Sequence, residues 1–403
     1  MKKKPHNIFM IIYYLFKGKV NLIRKLNKEV SIDINIFPLN KEIINDLIEK
    51  NKSGHEIIFI TKFKKELDDF LNNLHYEFKN YKIIKDLSEY QENKNEIIFY
   101  EFPKHKSKKK KDFIKFILYL IQAFRIHQWS KNFLVFTPLL LAHHFTIARS
   151  WMYSFLAFAA FSFVASSVYL INDIFDLESD RKHKIKKNRP FANGSFPLSS
   201  FFIYFPATLG IGLCLGKYLG IDFLIILLLY LVLNLIYTFK IKSIIVSDVI
   251  LLGFLYNLRI IAGSIAIQVE YSSWLMAFST FFFLGLALAK RYLEIFKNGD
   301  KDTIDGRGYM PQDKIIILIL GIASSLVSIV ILVFYFNSLT AEKLYDSTYR
   351  LWFIAPLVLY WTARFWILAN RNMILEDLSV FAIRDKVTWL VFFASLGIIL
   401  WAI

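Results

Sequence analysis

The chain has 403 residues, of which 55% are hydrophobic and 17% aromatic, which excludes an ordinary soluble protein and indicates a membrane protein. The formal net charge is +17. Its basic residues are concentrated before residue 115 and in alternate loops after it, a pattern typical of a membrane protein with one cytosolic face, so nucleic acid is not the expected partner. The single cysteine, Cys214, excludes a disulfide framework and a cysteine-based metal site.

Residues 1–103 have soluble character and predict a small cytosolic α/β domain. The alternating stretch 56–60 and the run 97–102 favour strands, and the charged stretches 41–51 and 64–74 favour helices. The apolar run 8–16 predicts a short interfacial helix rather than a cleaved signal peptide. Tyr13, Tyr14 and Lys17 stand where a cleavage site needs small residues.

Residues 104–125 predict a basic linker and an interfacial helix. The run from Lys104 to Lys111 is compatible with a solvated connection. Binding to anionic cytoplasmic lipid is the favoured interpretation, because apolar segments begin directly after it.

Residues 126–403 predict an all-α polytopic membrane domain. Each apolar segment has about 20 residues, long enough to cross a bilayer as a helix. The loops after the second, fourth, sixth and eighth segments carry most of the Lys and Arg, which predicts a cytoplasmic N-terminus and active site in the plasma (inner) membrane. The nine predicted spans are 131–147, 151–175, 199–217, 221–239, 245–266, 273–292, 314–337, 351–369 and 386–403.

Carboxylates gather at the end of the second predicted span. Asn172, Asp173, Asp176 and Asp180 are expected to continue its helix with the three aspartates along one face. Acidic groups at a helix C-terminus oppose the helix dipole, so a frayed acidic helix end is less favoured than a site with an external cation. Oxygen ligands without Cys or paired His suit Mg²⁺, which also takes phosphate oxygens. The motif therefore predicts a Mg²⁺ and diphosphate site, with Asp173, Asp176 and Asp180 as metal ligands.

A basic loop follows the carboxylates directly. Taken alone, residues 181–189 would be explained by the positive charge of cytoplasmic loops. Beside a carboxylate-bound metal, Lys and Arg can stabilise the charge of a departing diphosphate. We therefore predict that Arg181, Lys186 and Arg189 contact substrate phosphate.

The motif Asn172-Asp173-x-x-Asp176-x-x-x-Asp180, followed by Arg189-Pro190-x-Ala192-x-Gly194, resembles the UbiA superfamily of intramembrane prenyltransferases over about residues 120 to 403. Segments 125–132, 167–173, 237–259 and 289–294 are similar to its decaprenyl-phosphate phosphoribosyltransferase branch. That resemblance implies a phosphoribosyl diphosphate donor and a polyprenyl phosphate acceptor. The residues it brings into the substrate site are Lys131, Tyr237, Lys240, Lys242, Asp248, Arg259, Lys290, Arg291 and Glu294.

The second charged motif separates two possible reactions. Superfamily members acting on prenyl diphosphates usually carry a further Asp-rich cluster near the end of the sixth span, where this chain has Lys290-Arg291-x-x-Glu294. Lys and Arg can hold phosphate directly, although a snorkelling pair at a helix end is the plainer explanation. Phosphoribosyl transfer is the favoured function. Prenyl transfer to an aromatic or other small acceptor is the alternative, and transport is disfavoured because the charges lie at helix ends.

The N-terminal domain resembles the haloacid-dehalogenase-like domain that precedes this membrane module in some fusion proteins. Phe37-Pro38-Leu39-Asn40, Gly54 and the strand ending at Thr61 carry the resemblance. The nucleophile motif Asp-x-Asp is missing, and Thr61 alone cannot form an aspartyl-phosphate. We therefore expect a degenerate, non-catalytic domain.

Overall fold

The computed structural model describes residues 49, 52, 57–60, 81–84, 109–183, 186–298, 307–374 and 378–403. The predicted helices at 8–16 and 64–74, most of the one at 41–51, the strand at 97–102 and residues 104–108 of the basic run lie outside that set. The chain divides into two compact units. The first unit contains residues 1–114 and 177–195, and the second, the membrane unit, contains residues 115–176 and 196–403.

Two strands are described in the first unit. β1 (Ile57–Ile60) and β2 (Tyr81–Ile84) pair in parallel, with Ile57 opposite Tyr81 and Ile60 opposite Ile84. A parallel pair needs a long crossover connection, and residues 61–80 are enough for one. The α/β character of residues 1–103 as a whole stays a prediction. The helix α1 (Lys109–Ala123) follows in the chain.

Seven helices in the described part are long and apolar enough to cross a membrane, compared with nine predicted. Six of the seven helices begin and end within three residues of predicted spans, and the one that begins at Ser273 continues six residues past its predicted end. The seven helices are α3 (Ala148–Phe175), α5 (Phe201–Leu219), α6 (Ile221–Phe239), α7 (Ser247–Ala266), α8 (Ser273–Asn298), α9 (Lys314–Phe336) and α12 (Ile354–Asn370).

The two remaining predicted spans differ from ordinary membrane helices. In place of span 131–147, an 11-residue 3₁₀ helix, Ile126–Phe136, continues into α2 (Thr137–Leu141), with Pro138 in its first turn. At about 2.0 Å and 1.5 Å per residue, these two pieces together extend about 30 Å. The other is the shorter α14 (Lys386–Ala402), with 17 residues. The other short helices are α4 (Leu177–Lys182), α10 (Leu339–Leu344), α11 (Thr348–Leu351) and α13 (Leu378–Arg384).

The helices α3 and α7 lie at the centre of the membrane unit. In each, 61% of the most apolar stretch is buried, a larger share than in any other described span. One core cluster joins α3, α6 and α7 through Phe161, Phe223 and Leu258. A second joins α8, α9 and α12 through Leu288 and Trp366.

The 3₁₀ segment 126–136 contacts both central helices, α3 and α7. Trp129 Nε1 donates to Ser166 Oγ at 3.1 Å, and Asn132 Nδ2 donates to Ser162 Oγ at 3.0 Å. On the other side, a Cβ added to Gly263 would lie 2.1 Å from the carbonyl oxygen of Val135. Glycine is therefore required at that crossing, because any side chain would push the backbones apart.

Candidate active site at the acidic end of α3

The predicted continuous acidic helix is interrupted. α3 ends at Phe175, so Asp173 lies in its last turn, Asp176 is the residue that caps it, and Asp180 lies on α4 in the first unit. The expectation that one helical face carries all three aspartates is therefore wrong. The chain leaves the helix where three carboxylates would face the negative end of its dipole.

Asp173 is buried, with 2% of its surface exposed. Its Oδ1 accepts a hydrogen bond from Arg125 Nη2, and the Arg125 guanidinium also lies 4.9 Å from the ring centre of Tyr169. Arg125 has a left-handed backbone, with φ of 49°, at the turn between α1 and the 3₁₀ segment. That turn brings a cation to a carboxylate that would otherwise be costly to bury.

Asp176 is more open than Asp173. Its side chain is 40% exposed, and its Oδ1 lies 3.5 Å from Nζ of Lys242, whose own side chain is 34% exposed. Lys242 belongs to the 3₁₀ turn Ile241–Ser243 after α6. The acidic end of α3 therefore faces a cation from another loop, as phosphate binding beside a metal requires.

The side-chain oxygen of Asn172 is buried, and no hydrogen-bond donor reaches it in the described part of the chain. Among the described residues, no three His, Cys, Asp or Glu side chains form a group that could hold a metal ion. Mg²⁺ needs only one or two carboxylates when phosphate oxygens and water complete its shell. Asp173, Asp176 and the unpaired Asn172 oxygen fit that smaller ligand set.

The basic loop in the first unit is largely occupied by its own contacts. Arg189 Nη1 donates to Oδ2 of the buried Asp180 at 2.5 Å, and Arg181 Nε donates to the Ala192 carbonyl at 3.1 Å. Partial burial also lowers the pKa of the Arg181 guanidinium. Lys186 is exposed. Within this unit, Asp180 has the geometry of an anchor for Arg189.

Arg291 is fully buried near the C-terminal end of α8, in a second charged network. Its Nε donates to Asp248 Oδ2 at 2.6 Å, its Nη1 donates to Glu294, and its Nη2 donates to the Tyr237 hydroxyl at 3.0 Å. Asp248 is also fully buried. Three protein oxygens surround its guanidinium, a geometry that suits a supporting role, and direct contact of Arg291 with phosphate stays a prediction.

Arg307 and Tyr309 complete this network, and sequence reasoning did not select them. Arg307 Nη1 donates to the Tyr237 hydroxyl at 3.0 Å and to the Lys242 carbonyl at 3.2 Å. The Tyr309 hydroxyl donates to Asp248 Oδ1 at 2.6 Å. Burial and this hydrogen bond raise the pKa of the Tyr309 phenol. The available signal was Arg307 between two glycines, followed by a tyrosine, in a predicted cytoplasmic loop.

The other predicted substrate residues have varied surroundings. Arg259 is buried inside α7, where it donates to Asn132 Oδ1 at 2.8 Å, the Tyr230 hydroxyl at 2.9 Å and the Leu255 carbonyl at 2.5 Å. These contacts connect α7 with the 3₁₀ segment 126–136 and with α6. Three lysines complete the set: Lys131 and Lys290 are half-buried and Lys240 is exposed.

A sequence profile described as the UbiA prenyltransferase family matches residues 133–381, which is more than half of the chain. The chain belongs to the UbiA prenyltransferase family. Membership confirms the expectation of a UbiA-type transferase in a multi-pass membrane protein. Asp173, Asp176, Lys242 and the network around Arg291 all lie inside the matched region.

Similar UbiA-related sequences come from bacteria. The protein y4nM of Sinorhizobium fredii, which is described as uncharacterized, is 38% identical over 67% of this chain and 53% of its own length. Nodulation protein NoeC of Azorhizobium caulinodans is 29% identical over 68% of this chain and 89% of its own. A decaprenyl-phosphate phosphoribosyltransferase of Corynebacterium glutamicum is 36% identical over 44% of this chain and 54% of its own. The chain thus spans about half the length of two of these three relatives.

Solved structures support the same fold. A UbiA homologue from Archaeoglobus fulgidus bound to GPP and Mg²⁺ aligns with a TM-score of 0.52 over 70% of this chain and 99% of its own, at 18% identity. The same homologue bound to DMAPP and Mg²⁺ aligns with a TM-score of 0.52 at 17% identity. At these identities the likeness is one of fold alone.

Proposed function

We propose that this UbiA family member is a Mg²⁺-dependent transferase that moves 5-phosphoribosyl from phosphoribosyl diphosphate to a polyprenyl phosphate. The observation that carries the proposal is the composition of the second charged network. Asp248 and Glu294 are matched there by Arg291 and Arg307, so this network has no surplus of carboxylates for further metal ions. A second metal-binding cluster is what a prenyl diphosphate donor would favour.

The residues at the end of α3 suit departure of a diphosphate. Asp173 and Asp176 would hold Mg²⁺, with Asn172 as an additional oxygen ligand, and Lys242 would contact the phosphate oxygens beside them. Bound Mg²⁺ would supply positive charge that stabilises the leaving diphosphate. Arg125, which pairs with Asp173, would take part in the same phosphate contacts.

The reaction needs no general base. The bond between ribose C1 and the diphosphate oxygen breaks, and the diphosphate leaves with the electron pair. An anionic oxygen of the acceptor phosphate then forms the new bond to C1. Because that oxygen carries no proton, correct positioning matters more than proton removal. Lys131, Lys240, Lys290 and Arg259 remain our candidates for contacts with the phosphates or the lipid acceptor.

The relatives support the donor and the acceptor. The Corynebacterium protein and a 32% identical protein of Mycobacterium tuberculosis are both named decaprenyl-phosphate phosphoribosyltransferase, and each aligns with 44% of this chain. The proposed partners are therefore a phosphorylated sugar diphosphate, a polyprenyl lipid and the surrounding membrane lipid. In the loop after α3, Arg181, Lys186 and Arg189 are proposed to neutralise the remaining phosphate oxygens, with Asp180 as a further metal ligand.

The proposed topology follows from the positive loops. We place the N-terminus and the active site on the cytoplasmic side of the plasma (inner) membrane, with nine crossings when the 3₁₀ segment and α14 count as spans. The segment 126–141 supports this count because its length of about 30 Å matches the hydrocarbon core. Residues 1–103 are proposed to be a degenerate haloacid-dehalogenase-like domain without catalysis.

Labelled donors test the proposal. Membranes containing the protein, incubated with phosphoribosyl diphosphate labelled in the ribose and with polyprenyl phosphate, are expected to yield a labelled lipid that EDTA prevents. Membranes without the protein are the control. Transfer from a labelled prenyl diphosphate to an aromatic acceptor, with no lipid product from the phosphoribosyl donor, would refute the assignment in favour of prenyl transfer.

A further inference from the structure

Residues Arg307, Gly308 and Tyr309, here called the 307–309 clamp, lie directly against the turn between α6 and α7. Arg307 donates to the Lys242 carbonyl at 3.2 Å, and the Tyr309 hydroxyl accepts a hydrogen bond from the Val246 amide at 3.0 Å. Between them, a Cβ on Gly308 would lie 2.6 Å from the Ser243 carbonyl oxygen. Three consecutive residues therefore contact one turn, and the middle one leaves no room for a side chain.

The clamp is itself held by the buried network. The Tyr237 hydroxyl accepts hydrogen bonds from both Arg291 and Arg307, each at 3.0 Å, and Tyr309 donates to Asp248 at 2.6 Å. Arg291 and Asp248 are fully buried on α8 and α7. Because packed helices move little, the position of the turn is set by these two helices through the clamp.

The turn carries Lys242, whose ammonium lies 3.5 Å from Asp176. A lysine has a flexible four-carbon stem and gains direction from its backbone and neighbours rather than from its own shape. We infer that Arg307 is a positioning residue that fixes the Lys242 turn, so that the Lys242 ammonium meets a diphosphate bound at Asp176. The inference rests on the proposed function only in placing a diphosphate at the end of α3.

Charge and geometry make separate demands on Arg307. Asp248 and Glu294 carry two negative charges, Arg291 supplies one positive charge, and Arg307 supplies the second from 3.9 Å and 3.8 Å. A lysine at position 307 would keep that charge. Both hydrogen bonds to the turn and to Tyr237 come from Nη1, while Nε of the same rigid guanidinium faces Glu294 at 3.8 Å. A lysine has one ammonium on a flexible stem, so it cannot keep its nitrogen at the Lys242 carbonyl and also present a second N–H to Glu294. Arg307→Lys therefore separates neutralisation of the network from positioning of the turn.

Binding of inorganic diphosphate at fixed Mg²⁺, measured by calorimetry on the purified full chain, tests the inference without assuming a donor. Arg307→Lys and Lys242→Met are each expected to weaken binding about tenfold, the lower end of the effect of removing a supporting contact. Because Arg307 acts through Lys242, the double variant should bind about as well as Lys242→Met alone.

A matched pair of glycine variants checks the turn itself. Gly308→Ala places a methyl group against the Ser243 carbonyl and is expected to weaken diphosphate binding as Arg307→Lys does. Gly210→Ala, on α5, is the control, because nothing lies within 4 Å of the added Cβ. Its diphosphate affinity should equal that of the unaltered protein.

Four outcomes would overturn the inference. The first is that the losses of diphosphate affinity in Arg307→Lys and Lys242→Met add in the double variant. The second is an Arg307→Lys protein that has a lower unfolding midpoint but full diphosphate affinity. The third is equal diphosphate affinity in Gly308→Ala and Gly210→Ala, and the fourth is no diphosphate binding by the unaltered protein. Normal diphosphate binding without phosphoribosyl transfer would instead refute the proposed function. Under that result, non-additive losses at Arg307 and Lys242 would still support the positioning role.

Discussion

The two charged networks of the membrane unit contain similar residue types but differ in how far their side chains are exposed to solvent. At the end of α3, Asp173 and Asp176 face Arg125 and Lys242, and three of these four side chains are between 19% and 40% exposed. At the start of α7 and the end of α8, Asp248 and Arg291 are fully buried.

The difference in solvent exposure indicates that the two networks have different roles. A buried, neutral network holds helices in place and cannot take up a further ion without losing a contact. A half-open network can exchange its internal cations for a metal and phosphate. The first network is therefore the candidate site for chemistry, and the second is its support.

The largest expected loss of stability comes from a substitution in the buried network around Arg291. Arg291→Met leaves the buried carboxylate of Asp248 without its nearest cation, which should lower the free energy of unfolding by about 3–5 kcal/mol. Equilibrium unfolding in mixed detergent micelles measures this loss. Arg149→Met is the control, because Arg149 is exposed and, within the described part of the chain, its side chain contacts Tyr153. Equal stability of the two variants would contradict a supporting role for the buried network.

A substitution in the half-exposed network at the end of α3 should lower turnover rather than stability. Asp176→Asn removes a charge that Mg²⁺ needs, so turnover with the labelled donor is expected to fall about 10²–10³-fold, the scale for loss of one electrostatic contact to the transition state. The unfolding midpoint should stay close to that of the unaltered protein, since Asp176 is 40% exposed. Asp222→Asn, an exposed change at the opposite end of α6, should leave turnover unchanged. Full Mg²⁺-dependent activity in Asp176→Asn would exclude this carboxylate as a metal ligand.

A smaller loss of stability is expected when one hydroxyl group is removed from the buried network. Tyr309→Phe keeps the ring but removes the hydroxyl shared by Asp248 and the Val246 amide, which should cost about 1–3 kcal/mol of unfolding free energy. Tyr360→Phe provides a comparison on the exposed side of α12. The same unfolding experiment measures both, and a Tyr309→Phe protein as stable as Tyr360→Phe would show that the clamp is held by other contacts.

The sequence predicted the spans well where hydrophobic runs were uninterrupted. Segment 221–239 has the same limits in the structure, and α3, α7 and α9 differ from prediction by a few residues at most. Prediction failed at 131–147 because hydropathy does not distinguish a stretched 3₁₀ helix from an α-helix. The polar contacts of Trp129 and Asn132 with α3 became visible only in three dimensions.

The site was predicted in part. The spacing of Asp173 and Asp176 was enough to locate the acidic end of α3, and the structure adds Lys242 as its neighbour. Arg307 was missed because it lies 65 residues from Lys242 in the chain and belongs to no periodic pattern. Residue type alone did not show that the Arg291 guanidinium is fully enclosed by protein.

The 3₁₀ segment 126–136 is longer than an α-helix of the same number of residues. Eleven residues at about 2.0 Å each would shorten by about 5 Å on conversion to an α-helix at 1.5 Å each. Arg125 lies at the end of this segment and contacts Asp173. With Trp129 and Asn132 anchored to α3, a partial rewinding of the first turn would carry Arg125 out of hydrogen-bond reach and release the carboxylate. The stretched 3₁₀ geometry between Trp129 and Arg125 is therefore what brings Arg125 level with Asp173.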